Sequence, residues 1–341
     1  MDPVKVAAVQ AAPVLLDRDE TIAKVVTLAG KAAAEGARLV AFPEAFVPGY
    51  PDWVWRTRPW DADATALYAR LFDQAVVVGS PATDLLAETA ARLGIWLSVG
   101  VDERDERDST IYNTLLHFAP DGTLAARHRK LMPTGGERLV WGTGDGSTLQ
   151  VVDTGFGRLG GLICWENYMP LARAALYAQG IDVYLAPTWD NSEVWVPTLR
   201  HIAREGRTYV IGVTSCISAA DLPADLPGRD GGEAVAGGAP DHHGVPRQQA
   251  EPLLVPVPDR LGVDPERRAG HEHLGEHHEL RPLTSGRGGQ RGDAVDGGVP
   301  VHQDIARLDG GHPQDGHDSS PSETAARGDV STIRRKTSLR L

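Results

Sequence analysis

The distribution of aromatic residues limits which part of this chain can form a packed core. All 20 aromatic residues (8 Trp, 7 Tyr and 5 Phe) lie at or before Tyr209, and residues 210–341 contain none. Aromatic side chains bury large apolar areas and supply much of the packing of a protein core. The sequence therefore predicts a packed core formed within roughly the first 220 residues.

The remainder of the chain has a different composition. From about Leu222 it is rich in Gly, Pro, Arg, His and Asp and has no apolar periodicity. We predict a folded domain over residues 1–221 and a low-complexity tail over 222–341, because such a tail cannot offset the entropy lost on ordering. Two origins stay open, a natural disordered tail or the product of a shifted reading frame. We favour the frame shift, because the domain reads as interrupted and no conventional polar linker follows it.

Overall composition excludes several classes of partner and location. The formal net charge of −12 opposes binding to nucleic acid or to an anionic membrane. The start of the chain lacks the pattern of a signal peptide, and no apolar run approaches the roughly 18 residues of a membrane span. Two cysteines, Cys164 and Cys216, do not form a disulfide framework. We therefore expect a cytoplasmic protein.

Hydrophobic patterning in the first part of the chain alternates between strands and helices. This alternation predicts an α/β layered domain, and a hairpin around Pro120-Asp121-Gly122 makes its sheet mixed rather than purely parallel. Predicted strands span residues 4–10, 38–42, 95–101, 111–118, 123–129, 149–152, 158–163, 182–186 and 209–215. Predicted helices span residues 17–35, 62–78, 82–93, 169–179 and 196–206.

Three chemically reactive residues lie at the ends of different predicted strands. Cys164 lies where a strand ends and a helix begins, a junction that favours a thiolate and lowers the pKa of a thiol. Glu44 follows one strand, and Lys130 ends the hairpin. Spacing alone leaves two interpretations open: an assembled active site, or a buried structural cysteine with two solvated charges. Cys216 fits the structural interpretation better, because it has no charged neighbour to activate it.

Three separated segments resemble the signature segments of nitrilases, a branch of the carbon–nitrogen hydrolase superfamily. They are FPEAFVPGYP (42–51), RHRKLMPTGGERLVWG (127–142) and CWENYMPLAR (164–173). The resemblance covers about residues 4–217 and implies an αββα sandwich in the domain at 1–221. It further implies that this domain lacks its last strands, with a C-terminal part that is incomplete or disordered. It also implies a catalytic triad of Glu44, Lys130 and Cys164, with Glu137 as a supporting glutamate.

The implied reaction is hydrolysis of an organic nitrile, including aromatic or arylaliphatic nitriles, to a carboxylic acid and ammonia. It proceeds through a cysteine thioimidate and a thioester, with no metal or organic cofactor. A family-type homo-oligomer is implied as well, although the divergent tail puts it in doubt. One alternative is an amidase-type hydrolase on the same triad. Another is a catalytically impaired, truncated fold whose His-rich tail, around residues 271–279, binds a partner or a metal.

Four residues with ring side chains are candidates for the wall of the substrate pocket. We predict Tyr50, Trp165, Trp189 and His201 as its wall, although each residue type more commonly packs in a core. A second group, Trp53, Trp55 and Trp60, follows Glu44 closely. It is compatible with a pocket entrance for aromatic substrates or with an oligomer contact.

Overall fold

A computed structural model describes residues 4–217, 221–223 and 225–226, together with the backbone of two short strands at 254–255 and 338–339. Most of the predicted low-complexity tail, including the His-rich segment at 271–279, lies outside the described residues. Its predicted disorder and its origin in a frame shift therefore stay predictions.

The first sheet has six strands in the order β11-β1-β2-β3-β4-β5. The first three strands in chain order run parallel, whereas β3, β4 and β5 form an antiparallel meander, and β11 pairs antiparallel with β1. This arrangement confirms the hairpin and the mixed sheet predicted from the sequence. The strands are β1 (Val4–Ala8), β2 (Leu39–Ala41), β3 (Trp96–Arg104), β4 (Ile111–Phe118), β5 (Leu124–Arg129) and β11 (Ser338–Leu339).

The second sheet has five strands in the order β10-β9-β8-β7-β6. Its three central strands are parallel, and both outer strands pair antiparallel with their neighbours. Two-residue strands such as β10 and β11 are too short to leave a periodic pattern, so the sequence did not predict them. The strands are β6 (Val152–Asp153), β7 (Arg158–Gly161), β8 (Val183–Thr188), β9 (Tyr209–Thr214) and β10 (Leu254–Val255).

Helices cover the outer faces of both sheets, so the domain has four layers, αββα. Successive side chains of a strand point to opposite faces, and each central strand therefore contributes to two cores. On β2, Val40 packs with α1 and α3, whereas Leu39 packs between the sheets with Val183 of β8. On β9, Val210 packs with α4 and α5. The helices are α1 (Arg18–Ala34), α2 (Ala62–Gln74), α3 (Pro81–Leu93), α4 (Pro170–Ala178) and α5 (Trp195–Gly206).

Residues just beyond β9 still contribute to the core. Ile217, Leu222 and Leu226 are buried in one cluster with Trp53 and with Leu67 of α2. Packing therefore continues a few residues past the predicted domain boundary at 221, and the boundary itself stays a prediction. Within the described part of the chain, no helix is both long and apolar enough to cross a membrane.

A buried histidine makes the stability of the domain depend on pH. His117 is almost fully buried on β4, and its Nδ1 lies 2.7 Å from Ser98 Oγ. Burial, with a smaller contribution from His128, lowers the pKa of His117 to about 3. The unfolded chain therefore binds more protons than the folded chain between pH 3 and 6.5, so stability falls as the pH drops below about 6.5.

We expect acidification from pH 7 to pH 5 to cost roughly 2 kcal/mol of unfolding free energy through His117 alone. Replacing the histidine by a residue that does not titrate, His117→Leu, should remove this share of the pH dependence. Urea unfolding of both proteins at the two pH values measures it. The comparison uses the pH dependence rather than absolute stability, because Leu also leaves the Ser98 hydroxyl unpaired. Equal pH dependence in both proteins would contradict the assignment.

Candidate active site

The four predicted catalytic residues come from four separate segments that the fold brings together. Glu44 lies just past β2, and Lys130 directly follows β5. Glu137 belongs to a short 3-10 helix, Gly135–Leu139, and Cys164 begins another, Cys164–Tyr168, three residues after β7. All four side chains are at least 95% buried. The site therefore lies beyond the ends of strands from both sheets, inside the domain.

Two glycines allow the catalytic segments to approach their neighbours closely. A Cβ atom at Gly100, on β3, would overlap the carbonyl oxygen of Pro43 and lie 2.7 Å from the amide nitrogen of Ala45. A Cβ atom at Gly144 would lie 2.5 Å from the carbonyl oxygen of Arg129. Both distances are shorter than real contacts permit, so only glycine lets the backbone around Glu44 and Lys130 pack in this way.

The Lys130 ammonium lies between two carboxylates. Its Nζ donates to Glu44 Oε1 and to Glu137 Oε2, each at 2.8 Å. Burial by itself would lower the pKa of Lys130, but the charges of Glu137 and Glu44 outweigh it and raise that pKa well above its ordinary value. Lys130 is therefore a fixed positive charge at the centre of the site.

Both oxygens of Glu44 accept hydrogen bonds from groups other than Lys130 as well. Asn113 Nδ2 donates to Oε1 at 2.8 Å, and the backbone N–H of Trp189 donates to Oε2 at 2.7 Å. Burial raises the pKa of the Glu44 carboxyl despite the opposing charge of Lys130, and the charge of Glu137 adds to the rise. These contacts hold Glu44 in one orientation, and its raised pKa makes its carboxylate a stronger base than that of a solvated glutamate.

Cys164 has a strained backbone and a protonated thiol. Its φ of +52° lies in the left-handed region that side-chain-bearing residues rarely adopt. Thr188 Oγ1 donates to Cys164 Sγ at 3.2 Å. Burial and the charge of Glu44 raise the pKa of the thiol well above its ordinary value, although Lys130 opposes them.

The lowered thiol pKa expected from a strand-to-helix junction is therefore wrong, although the junction itself is present. The 3-10 helix at Cys164 has only five residues, so few peptide dipoles align there, and desolvation beside Glu44 outweighs them. A resting thiol of this kind needs a base to become a nucleophile, and Glu44 is the neighbouring carboxylate.

One residue missed by the sequence reasoning joins the Lys130 and Cys164 segments. The buried Glu166 carboxylate accepts the backbone N–H of Leu131 at 2.5 Å and that of Ile163 at 2.6 Å, and His128 Nε2 lies 3.0 Å from it. The two amides belong to the neighbours of Lys130 and Cys164. The sequence signal for Glu166 was its position two residues after a candidate nucleophile.

Two of the four predicted pocket residues belong to this site. Tyr50 donates its hydroxyl proton to Glu137 Oε1 at 2.7 Å and accepts a hydrogen bond from Trp55 Nε1 at 3.1 Å. The Trp189 ring stacks on the Tyr50 ring, with centroids 4.5 Å apart and an interplanar angle of 5°. Tyr50 and Trp189 therefore form one aromatic wall beside the carboxylates.

Of the other two predicted pocket residues, Trp165 lies next to Cys164, whereas His201 lies away from the site. Trp165 directly follows Cys164, is 50% exposed, and donates its indole N–H to Asp190 at 2.9 Å. His201 does not join the site: its side chain is 65% exposed on α5, and its Nε2 lies 3.6 Å from Glu205. The neighbouring Ile202 takes the buried face of that helix. The buried residues Trp195, Leu199, Ile202 and Ala203 have helical spacing, and the prediction for His201 did not use that pattern.

An apolar cavity of about 230 Å³ lies beside the short helix Asp52–Trp55 and the start of α2. Trp53 and Trp60 line it, and Trp60 is 93% exposed, whereas Trp55 turns toward Tyr50. Within residues 4–217 and the few described beyond them, no group of His, Cys, Asp and Glu side chains could hold a metal ion.

Removing the hydroxyl of Tyr50 tests whether Glu137 contributes to activity. Tyr50→Phe removes a hydrogen bond to a buried carboxylate and leaves the Trp55 indole N–H unpaired, so we expect kcat to fall by roughly 10-fold or more. The matched control is His201→Ala, an exposed change that should leave kcat within about twofold. Steady-state kinetics of both variants check this, and an equal effect of the two changes would contradict the assignment.

Comparison with known sequences gives a consistent set of similarities. The profile of the carbon-nitrogen hydrolase family matches residues 5–232. The chain is 45% identical over 232 residues to an aliphatic nitrilase from Sinorhizobium fredii, covering 67% of this chain and 74% of that protein. It is 42% identical to a nitrilase from Bradyrhizobium diazoefficiens over 65% of this chain and 69% of that protein. It is 41% identical to a bifunctional nitrilase/nitrile hydratase from Nicotiana tabacum, of which it spans less than two thirds (63%).

Solved structures share the fold at lower identity. Nit3 of Saccharomyces cerevisiae, a member of branch 10 of the nitrilase superfamily, is 23% identical and matches with a TM-score of 0.51 over 63% of this chain and 76% of its own. A mutant of the amidase from Nesterenkonia AN1 is 19% identical, with a TM-score of 0.51 over 76% of this chain and 92% of its own. These likenesses support the αββα sandwich.

Proposed function

Since this chain belongs to the carbon–nitrogen hydrolase family, whose members cleave carbon–nitrogen bonds other than peptide bonds, we propose that it hydrolyses organic nitriles to carboxylic acids and ammonia. The observation that carries the proposal is the buried Lys130 ammonium between Glu44 and Glu137, in a site that also contains the Cys164 thiol. This arrangement offers a nucleophile, a base and a fixed positive charge in one enclosed place.

The first half of the reaction forms a covalent thioimidate. Glu44 takes the proton of the Cys164 thiol, and the sulfur attacks the nitrile carbon. One π bond of the carbon–nitrogen triple bond breaks as the carbon–sulfur bond forms. Negative charge develops on the nitrogen, where the Lys130 ammonium and a backbone N–H after Cys164 stabilise it. Glu44 returns the proton to that nitrogen, which completes the thioimidate. The raised pKa of the thiol keeps Cys164 protonated at rest, and the raised pKa of the Glu44 carboxyl makes its carboxylate a stronger base than that of a solvated glutamate.

The second half consumes two water molecules. Glu44 takes a proton from the first water as its oxygen bonds to the thioimidate carbon, and proton transfer to nitrogen lets ammonia leave. A thioester remains on Cys164. The second water attacks this thioester, the carbon–sulfur bond breaks, and the carboxylic acid leaves as the thiol regains its proton. Glu137 holds Lys130 in place through the 2.8 Å contact during both steps.

The finer substrate preference follows from the aromatic lining of the site. Tyr50 and Trp189 stack beside the carboxylates, and Trp165 stands half-exposed next to the nucleophile. Flat rings pack favourably against such side chains, so we propose aromatic or arylaliphatic nitriles as good substrates. The similar protein from Sinorhizobium fredii bears the name aliphatic nitrilase, so butyronitrile is the appropriate comparison. Higher kcat/KM for phenylacetonitrile than for butyronitrile supports the preference, and the reverse order contradicts it.

The proposed activity is tested by matched nitrile and amide pairs. Ammonia released from phenylacetonitrile or butyronitrile, together with the corresponding acid, supports nitrile hydrolysis. Release from phenylacetamide or butyramide alone would replace it by an amidase activity. Accumulated amide product from a nitrile would indicate early collapse of the tetrahedral intermediate, as expected of an enzyme that also acts as a nitrile hydratase. Mass spectrometry of protein quenched during turnover should locate the added acyl group on Cys164.

Location and assembly are part of the same proposal. Both described cysteines are free thiols, as is usual in a reducing compartment, and this supports the cytoplasm. Homo-oligomer formation is supported by large apolar side chains that remain exposed near α4, including Leu171 at the start of that helix and Tyr168 just before it. A second copy of the chain covering them would remove this apolar surface from water.

Replacing Leu171 with a charge tests the assembly. We expect Leu171→Asp to shift the purified protein to a smaller species, because a desolvated carboxylate at an apolar interface costs several kcal/mol. Sedimentation velocity of the full chain and of the variant at equal concentration measures the change. Leu85, exposed on α3, gives a matched control, Leu85→Asp, which should leave the size unchanged. A size that does not respond to Leu171→Asp would contradict the placement of the interface.

A further inference from the structure

Besides Glu44, Glu137 and Glu166, another buried carboxyl group lies close to the candidate site, and the reaction steps proposed above do not use it. Asp102, on β3, is fully buried, and its Oδ1 accepts a hydrogen bond of 2.6 Å from Trp141 Nε1. Its second oxygen, Oδ2, has no hydrogen-bond partner among the residues that the structure describes. Buried carboxyl groups are rarely retained without a partner or a purpose.

Trp141, the residue that Asp102 binds, contacts residues of the candidate site. The buried Trp141 ring lies with its centroid 5.5 Å from Lys130 Nζ, within the range of a cation–π contact. It also meets the Tyr50 ring edge-on, with centroids 5.4 Å apart and an interplanar angle of 78°. The backbone N–H of Trp141 donates to the carbonyl oxygen of Glu137 at 2.9 Å. The indole thus contacts the lysine and the tyrosine, and its backbone is tied to the segment of the supporting glutamate.

We propose that Asp102 is a positioning residue for the nitrile hydrolysis proposed above. It acts through its hydrogen bond to Trp141, which holds the indole against the Lys130 ammonium and keeps that ammonium aligned between Glu44 and Glu137. The inference rests on the proposed function only for its kinetic consequence. The contacts from Asp102 to Trp141 and from Trp141 to Lys130 exist independently of the substrate.

The charge state of Asp102 is consistent with this role. Burial raises the pKa of Asp102 well above its ordinary value, against the opposing effect of the Trp141 hydrogen bond, and the charge of Glu44 raises it further. A carboxyl group whose ionisation is disfavoured can accept the indole hydrogen bond while adding less negative charge beside Glu44 and Glu137. An amide is then an adequate substitute, because its oxygen can accept the same proton.

Substitutions of the Asp102 side chain can remove the hydrogen bond to Trp141 while the backbone hydrogen bonds of β3 stay in place. The backbone of Asp102 donates to Val47 and accepts from Val76, and neither hydrogen bond involves the carboxyl group. Asp102→Asn keeps an acceptor for the indole, whereas Asp102→Leu has a similar size and no acceptor. Trp141→Phe keeps a ring near Lys130 but removes the N–H donor. These three variants, together with the Asp102→Leu/Trp141→Phe double variant, form a complete cycle.

We expect Asp102→Asn to keep kcat within about threefold of the parent. Asp102→Leu and Trp141→Phe should each lower kcat by roughly 10-fold with KM nearly unchanged, because an unpaired buried indole or a displaced ring lets Lys130 move. The double variant should lose little more than either single variant, since both remove one interaction. Losses that multiply, an Asn variant as impaired as the Leu variant, or a change confined to KM would each overturn the proposal.

A second measurement does not depend on nitrile turnover. In a Cys216→Ala background, the rate of Cys164 alkylation by iodoacetamide reports the fraction of thiolate at each pH. Misplacing the Lys130 ammonium should shift this alkylation profile to higher pH in Asp102→Leu and Trp141→Phe, and not in Asp102→Asn. Identical profiles in all variants would overturn the positioning role. If the alkylation shifts appear but the parent protein releases no ammonia from nitriles, the proposed function fails while the positioning role stands. If Asp102→Leu fails to fold, Trp141→Phe tests the same prediction, and Asp102→Leu does so if Trp141→Phe fails to fold.

Discussion

Cys164→Ala is expected to abolish turnover, with a loss of roughly 10⁴-fold or more in kcat, as for the removal of other covalent nucleophiles. The thiol is enclosed in the same site as Glu44 and Lys130 and accepts a hydrogen bond from Thr188 at 3.2 Å. Alanine leaves the aromatic wall and the carboxylates in place, so the variant should still bind the substrate. Ammonia release under saturating nitrile, followed over hours, measures the residual rate.

The second cysteine is the matched control for this change. Cys216 lies just after β9, is only partly buried, and its backbone N–H donates to the carbonyl oxygen of Ala11. Burial and the charge of Asp221 raise the pKa of its thiol. Cys216→Ala should therefore keep most of the activity. An equal loss from both substitutions would point to a structural effect and remove Cys164 from the proposed mechanism.

Lys130→Met and Glu44→Gln are each expected to lower kcat by at least about 10²-fold, the usual effect of losing a charge-stabilising group or a general base. Methionine preserves the length and the packing of the lysine side chain but leaves two buried carboxylates without their shared cation. Such an unpaired charge can cost 3–5 kcal/mol of stability as well, so circular dichroism and unfolding curves should accompany the kinetics. Lys31→Met, an exposed change on α1, serves as the control. Near-normal kcat in Lys130→Met would exclude the lysine from the mechanism.

The pH profile distinguishes the role of Glu44 from a loss of stability. The carboxyl group must be ionised to accept the thiol proton, and its pKa is raised above that of an ordinary glutamate. Activity should therefore fall on the acid side at a higher pH than a solvated glutamate would allow. In Glu44→Gln this acid limb should disappear from the small remaining rate. An acid limb that persists unchanged in Glu44→Gln would assign it to another group.

Sequence patterns were sufficient for the class of fold and for which residues the fold brings together at the candidate site. Alternating strands and helices, together with the Pro120-Asp121-Gly122 turn, predicted a mixed α/β sheet, because hydrogen-bond geometry and turn chemistry act over a few residues. The three signature segments likewise placed Glu44, Lys130 and Cys164 together. Each of these signals is contained in a short stretch of chain, so it can be recognised in the sequence without knowledge of the structure.

Tertiary structure alone decided how those residues behave. The raised pKa of the Cys164 thiol arises from desolvation and from Glu44, a residue 120 positions away, and it reverses the direction expected from the local junction. The contact of Asp102 with Trp141 joins β3 to the segment that follows the 3-10 helix Gly135–Leu139, two stretches that have no pattern in common. Desolvation, side-chain orientation and contacts between distant segments are properties of the packed domain, and for that reason they cannot be read from any single stretch of the sequence.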